Sequence, residues 1–125
     1  MKSKESISIV MPAFNASQYI EETIDSIIAQ THQSWELVIV DDASTDNTVD
    51  IISRYAVIDP RIRLITLDKN FGAPAGPRNK GVADSNFDWI AFIDSDDLWH
   101  REKLEQQVIA ISESEIEFIS TQMIR

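Results

Sequence analysis

Two short acidic clusters carry the residues best suited to chemistry, and each directly follows an apolar run. Asp41–Asp42 follows Leu37–Val40, and Asp94–Asp97 follows Trp89–Ile93. Carboxylates gathered at strand ends repel one another and lose hydration, so the fold needs a compensating cation or hydrogen-bond donors. Hard divalent cations prefer oxygen ligands and commonly join protein carboxylates to substrate phosphates. The clusters therefore predict a site for a nucleotide diphosphate with Mn²⁺ or Mg²⁺.

An alternation of strand and helix patterns would position both clusters. Apolar runs predict five strands, at Ile7–Met11, Trp35–Val40, Ile62–Leu67, Trp89–Ile93 and Ile116–Ile119. Apolar residues at helical spacing predict four helices, around Ile20–Ile28, Val49–Tyr55, Pro77–Ala83 and Leu104–Ile111. This order predicts an α/β fold of alternating βαβ units, with a mostly parallel sheet flanked by helices and right-handed crossovers.

Polar residues before the first two helices predict where those helices begin. Asn15 or Ser17 could cap the first helix, and Ser44 or Thr45 the second. Asp46 would lie near the positive N-terminus of the second helix. Pro77 suits the first turn of the third helix.

In open parallel sheets, ligands bind outside the carboxyl ends of the strands. Four segments reach that edge in the predicted fold: Pro12–Asn15, Asp41–Asp42, the loop 70–78 and Asp94–Asp97. Their coincidence at one edge is stronger support for a site than any one motif.

Composition excludes several classes of function. The 125 residues favour a single domain, 1–125, and no apolar run approaches the roughly 20 residues that span a bilayer. Cysteine is absent, and the polar start lacks the pattern of a secretory signal, so we expect a cytoplasmic protein. The net charge of −10 argues against nucleic acid binding. It also means that a phosphorylated ligand would need a metal or a local basic residue as a bridge.

Taken in order, these segments resemble the family 2 glycosyltransferases, inverting enzymes with the GT-A fold. The matching stretches are Ile7–Asn15, Ile24–Thr31, Glu36–Asp46, Asn70–Gly72 with Ala75–Gly81, and Phe92–Trp99. A lone Asp-x-Asp would be weak, but the ordered set covers nearly the whole chain. Ala43 is a small departure, since a glycine is common there.

The resemblance implies a role for each site position. Residues that would line the pocket of the base, usually uracil, or lie beside the nucleotide are Pro12, Ala13, Phe14 and Asn15. Phe14 would stack on the base, and Asp42, with Asp41 beside it, would accept a hydrogen bond from it. Arg78 would supply positive charge near the nucleotide or diphosphate.

Asp94-Ser95-Asp96 matches the Asp-x-Asp motif of the family. The resemblance implies that one carboxylate contacts the ribose and that another binds the metal on the diphosphate. Asp97 adjoins the motif, and the choice between Asp96 and Asp97 as metal ligand stays open.

The implied reaction moves a sugar from a nucleotide-diphospho-sugar, typically a UDP-sugar, to a saccharide, lipid-linked or other hydroxyl acceptor with inversion. In the family the general base lies in the second half of the domain, and these 125 residues offer no credible base. We therefore expect the N-terminal part of a longer enzyme of polysaccharide biosynthesis, free in the cytoplasm or peripheral to the membrane. Apolar surface meant for the missing half would favour self-association.

Other interpretations stay open at this point. Asp41–Asp42 could cap a turn, Asp94–Asp97 could be a solvated loop, Phe14 could be core, and Arg78 could pair with a surface acid. The alternative function is a truncated, non-catalytic domain that binds nucleotide and metal. The end of strand one argues against two other classes of protein. A haloacid dehalogenase would need an Asp where this strand ends in Met11 and Pro12, and a dinucleotide-binding module would need glycines there.

Overall fold

A computed structural model of the protein describes residues 5–73, 75–114 and 123–124. Its elements are β1 (Ile7–Ala13), α1 (Ile20–Ile28), β2 (Trp35–Asp41), α2 (Thr48–Ile58), β3 (Ile62–Thr66), α3 (Ala75–Ala83), β4 (Trp89–Phe92), α4 (Lys103–Ser114) and β5 (Met123–Ile124). Within these residues one sheet has the order β3-β2-β1-β4-β5. Strands β1 to β4 are parallel, and β5 is antiparallel to β4. The predicted α/β fold is confirmed, and the strand predicted at 116–119 lies outside the described residues.

The core lies around the two central strands. Every residue of β1 and β2 is buried, as expected for strands covered on both faces by helices. Helix α1 adds Ile20, Ile24 and Ile27, which are fully buried at helical spacing.

Strand β1 runs two residues beyond the predicted end at Met11. Pro12 and Ala13 pair with Val40 and Asp41 of β2, whereas pairing with β4 stops at Val10. Because β1 is paired on one side only at this point, the missing proline N–H is tolerated. The extension brings Ala13 to the carboxyl edge of the sheet. There the Asp42 N–H donates to the Ala13 carbonyl at 2.8 Å.

The predicted helix caps are wrong. Helix α1 begins after Tyr19 and α2 after Asn47, and among the described residues neither N-cap side chain makes a capping hydrogen bond. Asn15 Oδ1 instead accepts from the N–H of Thr45 at 2.8 Å, and so joins the loop after β1 to the loop after β2.

The start of α2 is held from outside the helix. The Asp46 carboxylate accepts from the Thr48 N–H at 3.0 Å and from the Ser17 N–H at 3.3 Å. Burial raises the pKa of Asp46, but these bonds and the Thr48 hydroxyl outweigh it and lower the pKa to about 2. Asp46 thus lies at the start of α2 as predicted, and its second carboxylate oxygen also links this loop to the loop after β1.

Helix α3 begins at Ala75, so Pro77 lies in its first turn as predicted. The helix packs closely on the central strand: a Cβ added to Gly81 would lie 2.5 Å from Cγ1 of Val10. This packing places Arg78, near the start of α3, beside the carboxyl ends of the strands.

Candidate donor-binding site

A cavity of about 540 Å³ opens at the carboxyl ends of β1, β2 and β4. Its lining comes from all four segments predicted to meet there: Pro12, Ala13, Phe14, Asn15, Ala16, Tyr19, Asp42, Asn70, Gly72, Ala73, Pro77, Arg78, Asp94, Ser95 and Asp96. Of the predicted site residues, Asp41 and Asp97 are not in this lining. The structure therefore brings the other predicted residues together around one hollow.

The acidic cluster (Asp94, Asp96 and Asp97) follows β4. Each residue offers one carboxylate oxygen, and these oxygens lie within 4.8 Å of one another. A turn produces this arrangement, because the Asp97 N–H donates to the Asp94 carbonyl at 3.0 Å. Asp94 is half-buried, whereas the other two are exposed. An all-oxygen set with this spacing suits a hard divalent cation.

Arg78 places the positive charge of the cavity next to the acidic cluster. Its Nη2 donates to Asp94 Oδ1 at 3.2 Å, and its guanidinium carbon lies 5.7 Å from the centre of the Phe92 ring. Both partners of the ion pair are substantially exposed, so the pair contributes little to stability. Arg78 Nε is buried and has no hydrogen-bond partner among the described residues.

Asp42 is a buried carboxylate that fixes the loop after β3. Both of its oxygens accept from the Phe71 N–H, at 2.9 and 3.1 Å, and its carbonyl accepts from Asn70 Nδ2 at 3.0 Å. Gly72 permits the turn that follows, with φ of 80°. A carboxylate has about four acceptor positions, so one N–H leaves Asp42 able to accept from a ligand.

Asp41 has a different setting from its neighbour. Its carboxylate accepts from the Ser44 N–H at 2.9 Å and from the Ser44 hydroxyl, and the residue is buried. These bonds match the turn-capping interpretation of Asp41. A contact between Asp41 and the base stays a prediction.

Two exposed aromatic residues flank the cavity. Phe14 is 48% exposed, so it is not a core residue, and Tyr19 is 47% exposed. Tyr19 was missed by the sequence reasoning, and its one signal is its place directly before the apolar stripe of α1. Flat aromatic faces at a cavity suit stacking on a nucleobase.

The model of glycosyl transferase family 2 matches residues 8–124. The chain belongs to glycosyl transferase family 2. The resemblance drawn from its ordered motifs is therefore confirmed.

Curated relatives of this family 2 chain include two bacterial glycosyltransferases. It is 43% identical over 118 residues to the putative teichuronic acid biosynthesis glycosyltransferase TuaG of Bacillus subtilis (strain 168), covering 94% of this chain and 46% of TuaG. It is 40% identical over 113 residues to the UDP-Glc:alpha-D-GlcNAc-diphosphoundecaprenol beta-1,3-glucosyltransferase WfgD of Escherichia coli, covering 90% of this chain and 44% of WfgD. The chain spans less than half of the length of both relatives.

Solved structures of similar proteins show the GT-A fold for this family 2 chain. S. aureus TarS 1-349 in complex with UDP-GlcNAc has a TM-score of 0.84 and 31% identity, over 90% of this chain and 32% of that one. The mannosyltransferase PcManGT from Pyrobaculum calidifontis, in complex with GDP-Man and Mn²⁺, has a TM-score of 0.83 and 26% identity, over 92% and 34%. Among the described residues, every helix is too short or too polar to span a bilayer.

Proposed function

We propose that this chain is the donor-binding part of an inverting, metal-dependent glycosyltransferase that uses a nucleotide-diphospho-sugar, specifically a UDP-sugar. One observation carries the proposal: buried Asp42, Arg78 and two members of the acidic cluster line the same cavity. Each group suits a different part of the donor, namely the base, the diphosphate and its cation.

The nucleoside would occupy the side of the cavity built by the ends of β1 and β2. Asp42 would accept a hydrogen bond from the N–H of uracil, while Phe14 and Tyr19 offer faces for stacking. Pro12, Ala13 and Asn15 would form the adjacent wall, and Asp94 and Ser95 would contact the ribose. The similarity to TarS in complex with UDP-GlcNAc supports this placement.

The acidic cluster fits a divalent cation, because its ligands are all oxygens and their spacing is short. Asp96 or Asp97 would hold Mn²⁺ or Mg²⁺, with Asp94 beside them. When bound, such a cation stabilises the negative charge that grows on a leaving diphosphate. The Mn²⁺ in the similar PcManGT complex supports this choice. Arg78, which lines the same cavity, would stabilise the same charge through its guanidinium.

Inversion requires a base that deprotonates the acceptor hydroxyl on the face opposite the leaving group. We place that base outside these 125 residues. The lengths of TuaG and WfgD support a longer enzyme, because each is more than twice as long as the part that matches this chain. The acceptor would be a saccharide or a lipid-linked sugar, as the name of WfgD describes for that enzyme. We place the reaction in the cytoplasm, in polysaccharide biosynthesis.

Calorimetry with UDP, GDP and TDP, each with Mn²⁺ and with EDTA, tests the donor site. We expect UDP to bind most tightly, and Mn²⁺ to tighten its binding at least tenfold. Asp96→Asn should remove most of the Mn²⁺ effect, whereas Asp50→Asn, the same charge change on the exposed face of α2, should preserve it. Equal affinity for all three nucleotides, with or without metal, would contradict the proposal.

A transfer assay with an isotope-labelled UDP-sugar separates the enzyme from the alternative, a non-catalytic nucleotide-binding domain. We expect UDP binding by this chain without turnover, and turnover by the complete gene product. Metal-dependent UDP binding without transfer in the complete product would favour the alternative. Turnover by the 125 residues alone would show that the base lies within them.

A further inference from the structure

Helix α1 makes a set of polar contacts that the donor site does not explain. Its apolar stripe faces the core, but Thr23 and Ser26, together with Gln30 just beyond the end of α1, form a second line at spacings of three and four residues. We call these three residues the α1 anchor. All of them bond to the segment 95–104, which joins the acidic cluster to α4.

Thr23 contacts the acidic loop directly. Its hydroxyl donates to the Ser95 carbonyl at 2.9 Å and lies 3.3 Å from the Tyr19 carbonyl. Ser95 stands between Asp94 and Asp96, and its carbonyl belongs to the peptide bond between Ser95 and Asp96. Thr23 is fully buried, so the half-buried Ser95 carbonyl would lose its donor if this hydroxyl were removed. This bond therefore fixes the orientation of the Ser95–Asp96 peptide, which carries the Asp96 side chain.

The rest of the anchor holds the segment after the acidic loop. The Trp99 N–H donates to Ser26 Oγ at 3.3 Å. Gln30, only 1% exposed, donates from Nε2 to the His100 carbonyl at 2.7 Å and accepts at Oε1 from the Leu104 N–H at 3.0 Å. One amide thus bonds both ends of the turn that enters α4.

The segment between β4 and α4 needs such support, because residues 93–102 form no regular helix or strand. A loop without a ladder of backbone bonds opens at low free energy unless side chains hold it. Three like charges on that loop would otherwise separate by repulsion.

We propose that the α1 anchor is a positioning device for the acidic cluster, with Thr23 as its main contact. It sets the spacing of the carboxylate oxygens before a cation arrives, so that less ordering is needed on binding. The value of this spacing for a cation rests on the proposed function, whereas the positioning itself can be measured without a ligand.

The first test measures amide hydrogen exchange in the ligand-free protein. Thr23→Val removes the hydroxyl at nearly constant volume, Thr23→Ser keeps it, and Thr66→Val makes the same substitution at the exposed end of β3. We expect the amides of Asp97 and Trp99 to exchange about 2- to 10-fold faster in Thr23→Val. Exchange at the same amides should stay close to wild type in the other two variants.

The second test measures the affinity for Mn²⁺ alone, and for UDP in EDTA, by calorimetry. In Thr23→Val, Mn²⁺ should bind about 2- to 10-fold more weakly. Metal-free UDP should lose less affinity than Mn²⁺, because only its ribose would contact this loop, at Asp94 and Ser95. A general loss of structure would instead weaken both to the same extent. Ser26→Ala, a mild change on a helix, provides an independent variant in which the Trp99 amide alone should exchange faster.

The outcomes distinguish this inference from the proposed function. Selective acceleration at Asp97 and Trp99 supports positioning, even if wild type fails to bind Mn²⁺, which would overturn the metal site instead. Unchanged exchange at these amides overturns the inference. Equal acceleration across the sheet also overturns it, because Thr23 would then contribute only to global stability.

Discussion

At the scale of single residues, Ala43 adopts a backbone conformation that suits glycine better. Its φ is 61°, in the turn directly after Asp42. An L-residue pays about 1–2 kcal/mol for this region, whereas glycine costs roughly 0.5–1 kcal/mol through its freedom in the unfolded chain. The sequence departure from the family pattern therefore has a structural cost.

We predict that Ala43→Gly stabilises the protein by up to about 1 kcal/mol, because it removes this strain. Urea unfolding at neutral pH measures the change. Ala56→Gly, in the last turn of α2, is the control and should destabilise by up to about 1 kcal/mol. A loss of stability in Ala43→Gly would show that the turn carries no strain.

Glu36 is a buried carboxylate at the opposite end of the sheet from the cavity. It accepts from the Asn86 N–H and the Ser8 hydroxyl, both at 2.6 Å, and from Arg63 Nη2 at 3.2 Å. Burial raises the pKa of Glu36, but the bonds from Asn86 and Ser8 and the charge of Arg63 outweigh it. The pKa of Glu36 therefore lies below its ordinary value of 4.5.

This lowered pKa predicts how Glu36 contributes to stability at different pH values. The folded pKa is below the unfolded one, so the contribution is complete above about pH 4.5 and is lost as the pH falls through the folded value. Glu36→Gln should cost about 1–3 kcal/mol at pH 7, and the difference from wild type should shrink below pH 4.5. Urea unfolding between pH 3 and pH 7 (roughly) tests this, with exposed Glu22→Gln as the control. A difference that grows in acid would contradict the assignment.

At the scale of elements, burial made the strands predictable. The predicted strand Trp35–Val40 differs from β2 by one residue, since an apolar run buried on both faces leaves little choice of boundary. Helix starts were not predictable in the same way. Asn15 and Asp46 have capping side chains, but they bond across two loops at the edge, and local sequence contains no signal of that pairing.

The candidate site was predictable to the extent that strand ends define it. Asp42 and Asp94 follow the apolar runs of β2 and β4, the two strands that flank β1, so topology alone brings them to one edge. The position of a strand end does not show which of two adjacent residues enters the site. The Asp41 carboxylate accepts a hydrogen bond from Ser44, whereas Asp42 lines the cavity. Tyr19 joins the cavity through the path of a loop, which spacing does not reveal.

Gly81 gives a prediction about how α3 packs on β1. An added Cβ would lie 2.5 Å from Cγ1 of buried Val10, closer than carbon atoms can approach. We expect Gly81→Ala to destabilise by about 1–3 kcal/mol, because helix and strand must separate. The double variant Gly81→Ala with Val10→Ala should cost less than the sum of the two single changes, since it removes the clash. Additive unfolding free energies would contradict this packing.

At the scale of the whole molecule, the negative charge of the protein disfavours the diphosphate that we assign to the cavity. The chain has 21 acidic and 11 basic residues, and the cavity that we assign to a diphosphate includes Asp42, Asp94 and Asp96. Arg78 is the basic residue of the cavity lining. Without a cation, the diphosphate would therefore enter an electric field that repels it.

Self-association, which would bring further acidic surfaces together, stays a prediction.

This conflict predicts an unusual salt dependence of donor binding. Raising KCl from about 10 mM to about 150 mM shortens the Debye length from roughly 30 Å to about 8 Å. In EDTA, screening should reduce the repulsion and tighten UDP binding roughly two- to fivefold. Uridine, which lacks the phosphates, should show almost no change in the same titrations.

With Mn²⁺ present, the effect of salt on UDP affinity should have the opposite sign. The cation neutralises the acidic cluster, so the main interaction that salt screens is the attraction between the cation and the diphosphate. UDP binding should then weaken modestly as KCl rises. Calorimetry at both salt concentrations, with EDTA and with Mn²⁺, measures all four affinities. If salt weakened UDP binding in EDTA as well, the charge of Arg78 would outweigh the acidic residues even without metal. The cation would then not be needed to overcome repulsion at this edge of the sheet.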